Sequence, residues 1–397
     1  MTGQRADPGE LRARMVQRLA INTYLAQWEE AWAPWHTALA AVPRHEFIPD
    51  TVWIDNNDEG PALVPLHRDD DPDRWLELAY SDDAVITQID DGHPAGPGLA
   101  GMMPTSSASS PIMVAVMLAA LDAKLGHRVC EIGTGTGYNA ALLARRLGAE
   151  HVTSIEVDAA VAARARKALS GSGYGEVDVI TGDGALGYPP GARYDRIMAT
   201  AAAHRIPYAW VEQIRPGGRL LLPWANSYTG ALVTLTVDEH GGASGAIVGE
   251  SSFMPLREQR EGRGSVASVV GEDENRGEVS VTVLHPHWVC GDRGARFAIG
   301  QRVPRCQWRY WPYDEQDGVG VLWLLDFESR SWAKLTQSTP DASDDEFPVR
   351  QHGPRRLWDE VDAAHRWWGE QGKPDVEQWR FTVNPKGQQL DLSSCVW

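Results

Sequence analysis

The residues with the clearest chemical purpose are Val129-Cys130-Glu131-Ile132-Gly133-Thr134-Gly135-Thr136-Gly137-Tyr138. An apolar run that reads as a strand enters three glycines at alternate positions, and a helix is predicted directly after them. Glycine there permits a tight turn and lets backbone N–H groups come close to a ligand. A dinucleotide fingerprint needs its third glycine at position 138, where Tyr138 stands. Two acids fall in step with the loop. Glu156 ends the next predicted strand, 19 residues past Gly137, and a carboxylate there can accept both ribose hydroxyls. Asp183, in Gly182-Asp183-Gly184 after the third strand, is placed to accept from an adenine amino group. Each acid alone reads as a solvated strand end. The three elements in order point to a nucleoside ligand that has no pyrophosphate.

The G-x-G-x-G spacing, with the acid Glu131 on the preceding strand, is the one that S-adenosylmethionine (SAM) methyltransferases use. On this reading Glu131, Gly133, Thr134, Gly135, Gly137, Glu156, Asp183 and Gly184 form the cofactor site. Thr200, ending the following strand, could line it. Cys130 is most simply a small buried residue.

The elements that must position these residues follow from periodicity. Strands are predicted at 127–132, 151–156, 177–181, 193–200 and 218–223, alternating with helices at 112–125, 138–147, 159–170 and 209–214. That alternation is the mark of an α/β, doubly wound parallel sheet of Rossmann type. Ahead of it, 9–41 reads as helix broken by Pro34, and 50–100 as irregular, with an acidic run at Asp69–Asp71 and Asp73. Past the linker-like EGRG at 261–264, strands are predicted at 278–284, 296–303, 306–311, 320–327, 379–383 and 388–392, with one helix at 354–370. The expected organisation is an N-terminal segment (1–104), a SAM-binding core (105–260) and a small α+β domain (261–397). Ten of the 17 tryptophans lie from Trp288 onward. Those at 308, 311, 323 and 332 are expected in the core of that last domain, the alternative being an aromatic groove for a peptide. His285-x-His287 with Cys290 and Cys306 has the residue types of a metal site, but core or surface roles are expected, and no metal is assigned.

Six ordered motifs across about 9–257 resemble the protein-L-isoaspartate O-methyltransferase family. They are Val42-Pro43-Arg44-His45-Glu46-Phe47-Ile48-Pro49, Ala79-Tyr80-Ser81-Asp82, Ser107-Ala108-Ser109-Ser110-Pro111, the loop Glu131–Ala140, Gln213–Arg219 with Pro223, and Phe253-Met254-Pro255-Leu256. Ser107 replaces the family's usual threonine, Ile112 stands where a histidine often follows the proline, and the chain continues about 140 residues beyond the resemblance. The resemblance implies transfer of a methyl group from SAM to a side-chain carboxylate. Such a carboxylate is already ionised at neutral pH, so in-line placement and partial removal of water are what the enzyme supplies. Positioning of that kind is worth roughly 7–11 kcal/mol. It also implies that Ser109 hydrogen-bonds the carboxylate, with Ser107 supporting the loop; otherwise these serines simply cap a helix.

The implied partner is a peptide or protein bearing Asp or isoaspartate. A dedicated substrate is the first expectation: an Asp in a ribosomally made, constrained peptide, whose ester closes to an aspartimide. The long extension favours it, because general repair of isoaspartyl damage, the alternative, needs no added recognition domain. A SAM-binding scaffold without catalysis is a third reading, opposed by the intact acids and glycines.

Composition sets the remaining bounds. A net charge of −17 disfavours a nucleic-acid partner. No run of eighteen apolar residues predicts a membrane span. The start MTGQRADPGELRARM lacks a secretory pattern, and four scattered cysteines build no disulfide framework, so a cytoplasmic protein is expected. The charge is also a puzzle for an enzyme that binds a carboxylate. Residues 1–250 hold 19 basic and 31 acidic residues, against 18 and 23 in the remainder. Compensating positive surface must be local, and the C-terminal part is where it is expected first.

Overall fold

The nucleoside loop lies where a doubly wound sheet would put it. The computed structural model describes residues 6–56, 62–316, 318–338 and 346–392; Cys395 lies outside them. Strands β1 (Thr51–Asp55), β2 (Leu63–His67), β3 (Val85–Ile89) and β4 (Pro104–Ala108) make a first sheet, in the order β2-β1-β3-β4. Then follow β5 (Val129–Ile132), β6 (Val152–Glu156), β7 (Asp178–Thr181), β8 (Tyr194–Ala199), β9 (Ile214–Ala225), β10 (Gly230–Val237) and β11 (Ala243–Glu250). Strands β12 (Glu278–Thr282), β13 (Gln307–Asp314), β14 (Val319–Asp326), β15 (Ser331–Gln337) and β16 (Phe347–His352) form a five-stranded sheet, ordered β12-β16-β15-β14-β13. The closing hairpin, β17 (Trp379–Asn384) and β18 (Gly387–Leu392), joins the large sheet, whose order is β18-β17-β11-β10-β9-β8-β5-β6-β7.

Strands β7, β6, β5, β8 and β9 pair in parallel, and the order reverses between β5 and β8. Ligands of such sheets bind outside the carboxyl ends of the strands at that reversal. Strands covered on both faces read as continuous apolar runs; every residue of β5, β6 and β8 is buried. One cover is the helix Pro111–Leu121, apolar all round and buried over most of its length. Helix Ala159–Gly171 starts at Asp158, whose carboxylate accepts from the Ala160 and Val161 amides.

Two compact units divide the chain. One is Met1–Pro223 with Val233–Gly245 and Thr382–Gln389; the other is Trp224–Leu232 with Ala246–Phe381 and Leu390–Trp397. Within the second, Trp323 and Trp332 are buried with ring centroids 5.5 Å apart, packed with Val269, Val270 and Leu325. Trp308 is half-buried and donates to the Tyr228 carbonyl at 2.9 Å, while Trp311 is exposed. His285 caps the helix Pro286–Cys290 by accepting from the His287 amide. Burial pushes the Cys290 thiol up to about 11 and raises that of Cys306 further.

Several elements depart from the sequence reading. Residues 50–100 are not irregular: they hold β1, β2, β3 and the helix Pro72–Ala79. Pro65 masks β2 in the sequence but is tolerated because β2 is an edge strand. The segment at 296–303 is not a strand but part of the helix Arg293–Arg302, started by Asp292, which accepts from the Ala295 amide. Strands β15 and β16 escaped prediction; buried Ser331, Gln337 and Gln351 spoil their alternation. Pro34 lies inside the helix Glu29–Ala41, and the chain breaks earlier, at Asn22, which caps the next turn.

Candidate active site

The loop is built from the strand upward. Glu131, in β5, is fully buried. It accepts from Ser154 Oγ of β6 at 2.5 Å and from Asn139 Nδ2 of the following helix at 2.7 Å. Ser154 in turn contacts Thr134 Oγ1 at 2.6 Å. Burial pushes the Glu131 carboxyl up to about 7, opposed by the two hydrogen bonds and reinforced by nearby Glu156. The structure therefore places Glu131 and Thr134 beneath the loop, as its fixings.

Above them Gly133, Gly135 and Gly137 all take positive φ, at 97°, 54° and 88°. The requirement is strictest at Gly133, where a Cβ would meet Thr200 Oγ1 at 2.7 Å. Thr200 is thus a strut: its hydroxyl donates to the Gly133 carbonyl at 2.5 Å, with the Ile132 carbonyl at 3.1 Å. Glu156 ends β6, and its two oxygens accept from the Gly135 amide at 2.9 Å and the Asp158 amide at 3.1 Å. The carboxylate thus stands at the end of β6 beside the glycine loop, where the sequence reading puts the ribose. Asp183 is exposed and accepts from the Ala185 amide at 2.9 Å. Gly184 is buried because the turn rests on Ile132, where a Cβ would lie 2.6 Å from Cγ2.

The serine segment comes to the same place. Ser107 lies in β4, and its carbonyl sits against Gly135, 3.4 Å from where a Cβ would be. Helix capping, the plain alternative for these serines, is the task of Ser110, which accepts from the Met113 amide. Ser106 accepts from Thr87 Oγ1 at 3.3 Å. The half-buried Ser109 keeps its hydroxyl free of hydrogen bonds among the described residues.

Arg44 is the residue that sequence reasoning left without a role. It is fully buried, and its guanidinium donates to the carbonyls of Ala79 (2.5 Å), Ser109 (3.0 Å) and Ala108 (3.2 Å). Burial lowers it to about 10. It ties together the 42–49, 79–82 and 107–111 motifs, far apart in sequence. Tyr138 from the loop's helix is buried, and its ring lies 5.7 Å from that of Phe47. The only sequence signal was that Arg44 sits inside a motif; nothing marks a cation whose partners are carbonyls. Beside Gly135 and Thr136 opens a cleft of about 530 Å³, whose lining includes His45, Arg68, Arg164 and Lys167.

These residues fit SAM. The loop carries no Lys or Arg to meet a pyrophosphate, its three glycines raise no side chain toward a ligand, and an acid stands at or just past the end of each of the next two strands. A loop of this kind at the reversal of a doubly wound sheet defines a SAM-dependent methyltransferase. The model of the family "Protein-L-isoaspartate(D-aspartate) O-methyltransferase (PCMT)" matches residues 75–261. A protein-L-isoaspartate O-methyltransferase of Archaeoglobus fulgidus is 34% identical over 252 residues, covering 63% of this chain and 94% of the relative. That of Ignicoccus hospitalis is 34% identical over 215 residues, covering 54% and 82% respectively. A solved protein-L-isoaspartate O-methyltransferase structure aligns with TM-score 0.51 and 18% identity, over 98% of this chain and 100% of its own. The chain belongs to the protein-L-isoaspartate O-methyltransferase family, and it is a SAM-dependent carboxyl O-methyltransferase.

Proposed function

We propose that this enzyme methylates the side-chain carboxylate of isoaspartyl residues in peptides or proteins. The observation that carries the reading is the family relationship over nearly the full length of its relatives; the meeting of Ser107 and the glycine loop supports it. Bound SAM supplies a methyl group on a positively charged sulfur. The protein's part is to hold one carboxylate oxygen in line with that methyl group. Ser109, with its uncommitted hydroxyl, donates to the other oxygen, and Arg44 holds the Ser109 backbone so that the donor does not drift. No general base is needed, because the attacking oxygen is already ionised. In the product, the next backbone amide nitrogen attacks the ester carbonyl, methanol leaves, and a succinimide forms that water can open.

The dedicated, constrained-peptide reading rested on the C-terminal extension. That extension does not discriminate, since a solved family structure aligns over 98% of this chain. No membrane-crossing helix is present among the described residues. The deciding experiment offers the protein and SAM an isoaspartyl peptide, its Asp counterpart and cyclic Asp peptides, and follows mass. Methyl gain on the isoaspartyl peptide is expected. Gain confined to a cyclic Asp peptide would replace this reading with the dedicated one.

A further inference from the structure

The charge puzzle has an answer in the first unit, beside the loop. We propose that the cleft along Gly135 and Thr136 docks the residues flanking the methyl-accepting residue, and that it favours acidic flanks; this rests on the peptide-methylation reading above. The cleft's volume, about 530 Å³, is that of a ligand-binding pocket. Of its two acids, Asp50 pairs with Arg68 at 3.7 Å, and Glu46 keeps its charge while accepting from the neutral Ser172 Oγ at 2.9 Å. The cleft's cations, Arg68, Arg164 and Lys167, still outnumber its acids. Arg164 and Lys167, both exposed and three residues apart on one helix face, have no carboxylate within ion-pair reach among the described residues. Arg166 of the same helix shows the contrast, because it is spent on the Val179 carbonyl and Thr181 Oγ1. Arg164 and Lys167 are therefore not needed to hold the fold, yet they line a cleft in a chain of net charge −17.

Position gives the cleft its occupant. Gly135 lines it, and the Ser107 carbonyl rests against Gly135. A substrate residue held at Ser109 thus has its neighbours within reach of the cleft. A peptide carboxylate placed there meets two cations that hold no ion pair, in a cleft whose cations outnumber its acids, an attraction that salt screens.

The test uses the full chain with Arg164→Glu and Lys167→Glu combined, and two isoaspartyl peptides, one with Asp and Glu flanks and one with Asn and Gln flanks. The expected result is a roughly tenfold loss of kcat/KM on the acidic peptide at low salt, carried by KM. Turnover of the neutral peptide should stay unchanged, and the difference should shrink as salt rises. Equal losses on both peptides would mean the two residues are structural. No loss on either would mean the cleft binds nothing. If the unaltered protein methylates neither peptide, the underlying reading falls and the cleft assignment with it.

Discussion

Replacing Glu131 by glutamine isolates one buried charge beneath the cofactor loop. In the folded protein this carboxyl titrates at about 7, whereas the unperturbed side chain titrates at 4.5. A raised acid favours the folded state while protonated, so its contribution is fully present below 4.5 and is lost as pH rises through about 7. The displacement corresponds to about 3 kcal/mol in all, of which about 2 kcal/mol falls between pH 5.5 and 8.5. Glutamine at 131 can still accept from Asn139 but carries no titrating proton. Chemical denaturation of both proteins at pH 5.5 and 8.5 reads the effect. Glu131→Gln should gain about 2 kcal/mol relative to the unaltered protein across that interval, whatever constant offset the substitution brings. Parallel pH slopes for the two proteins would refute the argument that burial dominates this site.

Three further outcomes follow from the geometry. Ser109→Ala should lower kcat about 10- to 100-fold in steady-state kinetics, the loss of about 1.4–2.7 kcal/mol of a charge-assisted hydrogen bond, while the SAM dissociation constant measured by calorimetry stays within about twofold. Gly133→Ala should abolish SAM binding, because a Cβ there meets Thr200 Oγ1 at 2.7 Å. Gly135→Ala, whose nearest neighbour would be at 3.4 Å, should cost only about 1 kcal/mol for its left-handed backbone; calorimetry on both variants separates them. Gln388 of β18 accepts from the Ile206 amide at 2.8 Å and donates to the His204 carbonyl at 3.0 Å, clamping the segment that follows Thr200. Gln388→Ala should cost about 1–3 kcal/mol in thermal or chemical unfolding, and faster hydrogen exchange at Ile206 would mark the loss.

How far the sequence could be read depended on whether a residue's task was local. Gly133, Gly135 and Gly137 announce themselves because positive φ is a property of the backbone at one place. Strands β5, β6 and β8 announce themselves because short, partly apolar stretches alternate with helical patterns, although buried Glu131, Ser154, Asp195 and Arg196 interrupt them. Glu131 was marked as a site acid, but its partners Ser154 and Asn139 could not be, since strand pairing and helix packing bring them there. Arg44 is the extreme case: its carbonyl partners at 79, 108 and 109 carry no side-chain signature. The Phe297-Ile299-Val303 spacing imitates a strand, but the segment lies in a helix that Asp292 caps and whose Ala295, Phe297, Ala298 and Ile299 are buried. The closing hairpin was legible as a hairpin, but not its place in the large sheet, since pairing partners across more than a hundred residues leave no local trace. Deleting 261–397 would therefore strip β17 and β18 from that sheet, and it is no clean test of what the second unit does.

The account stands on where the methyl group goes. Incubation with methyl-labelled SAM and a single-site isoaspartyl peptide, followed by fragmentation mass spectrometry, locates the label directly. The label should sit as an ester on the isoaspartyl side-chain carboxyl and be released as methanol on standing in mild base. Label found on nitrogen or sulfur, or no label with SAM demonstrably bound, would contradict it.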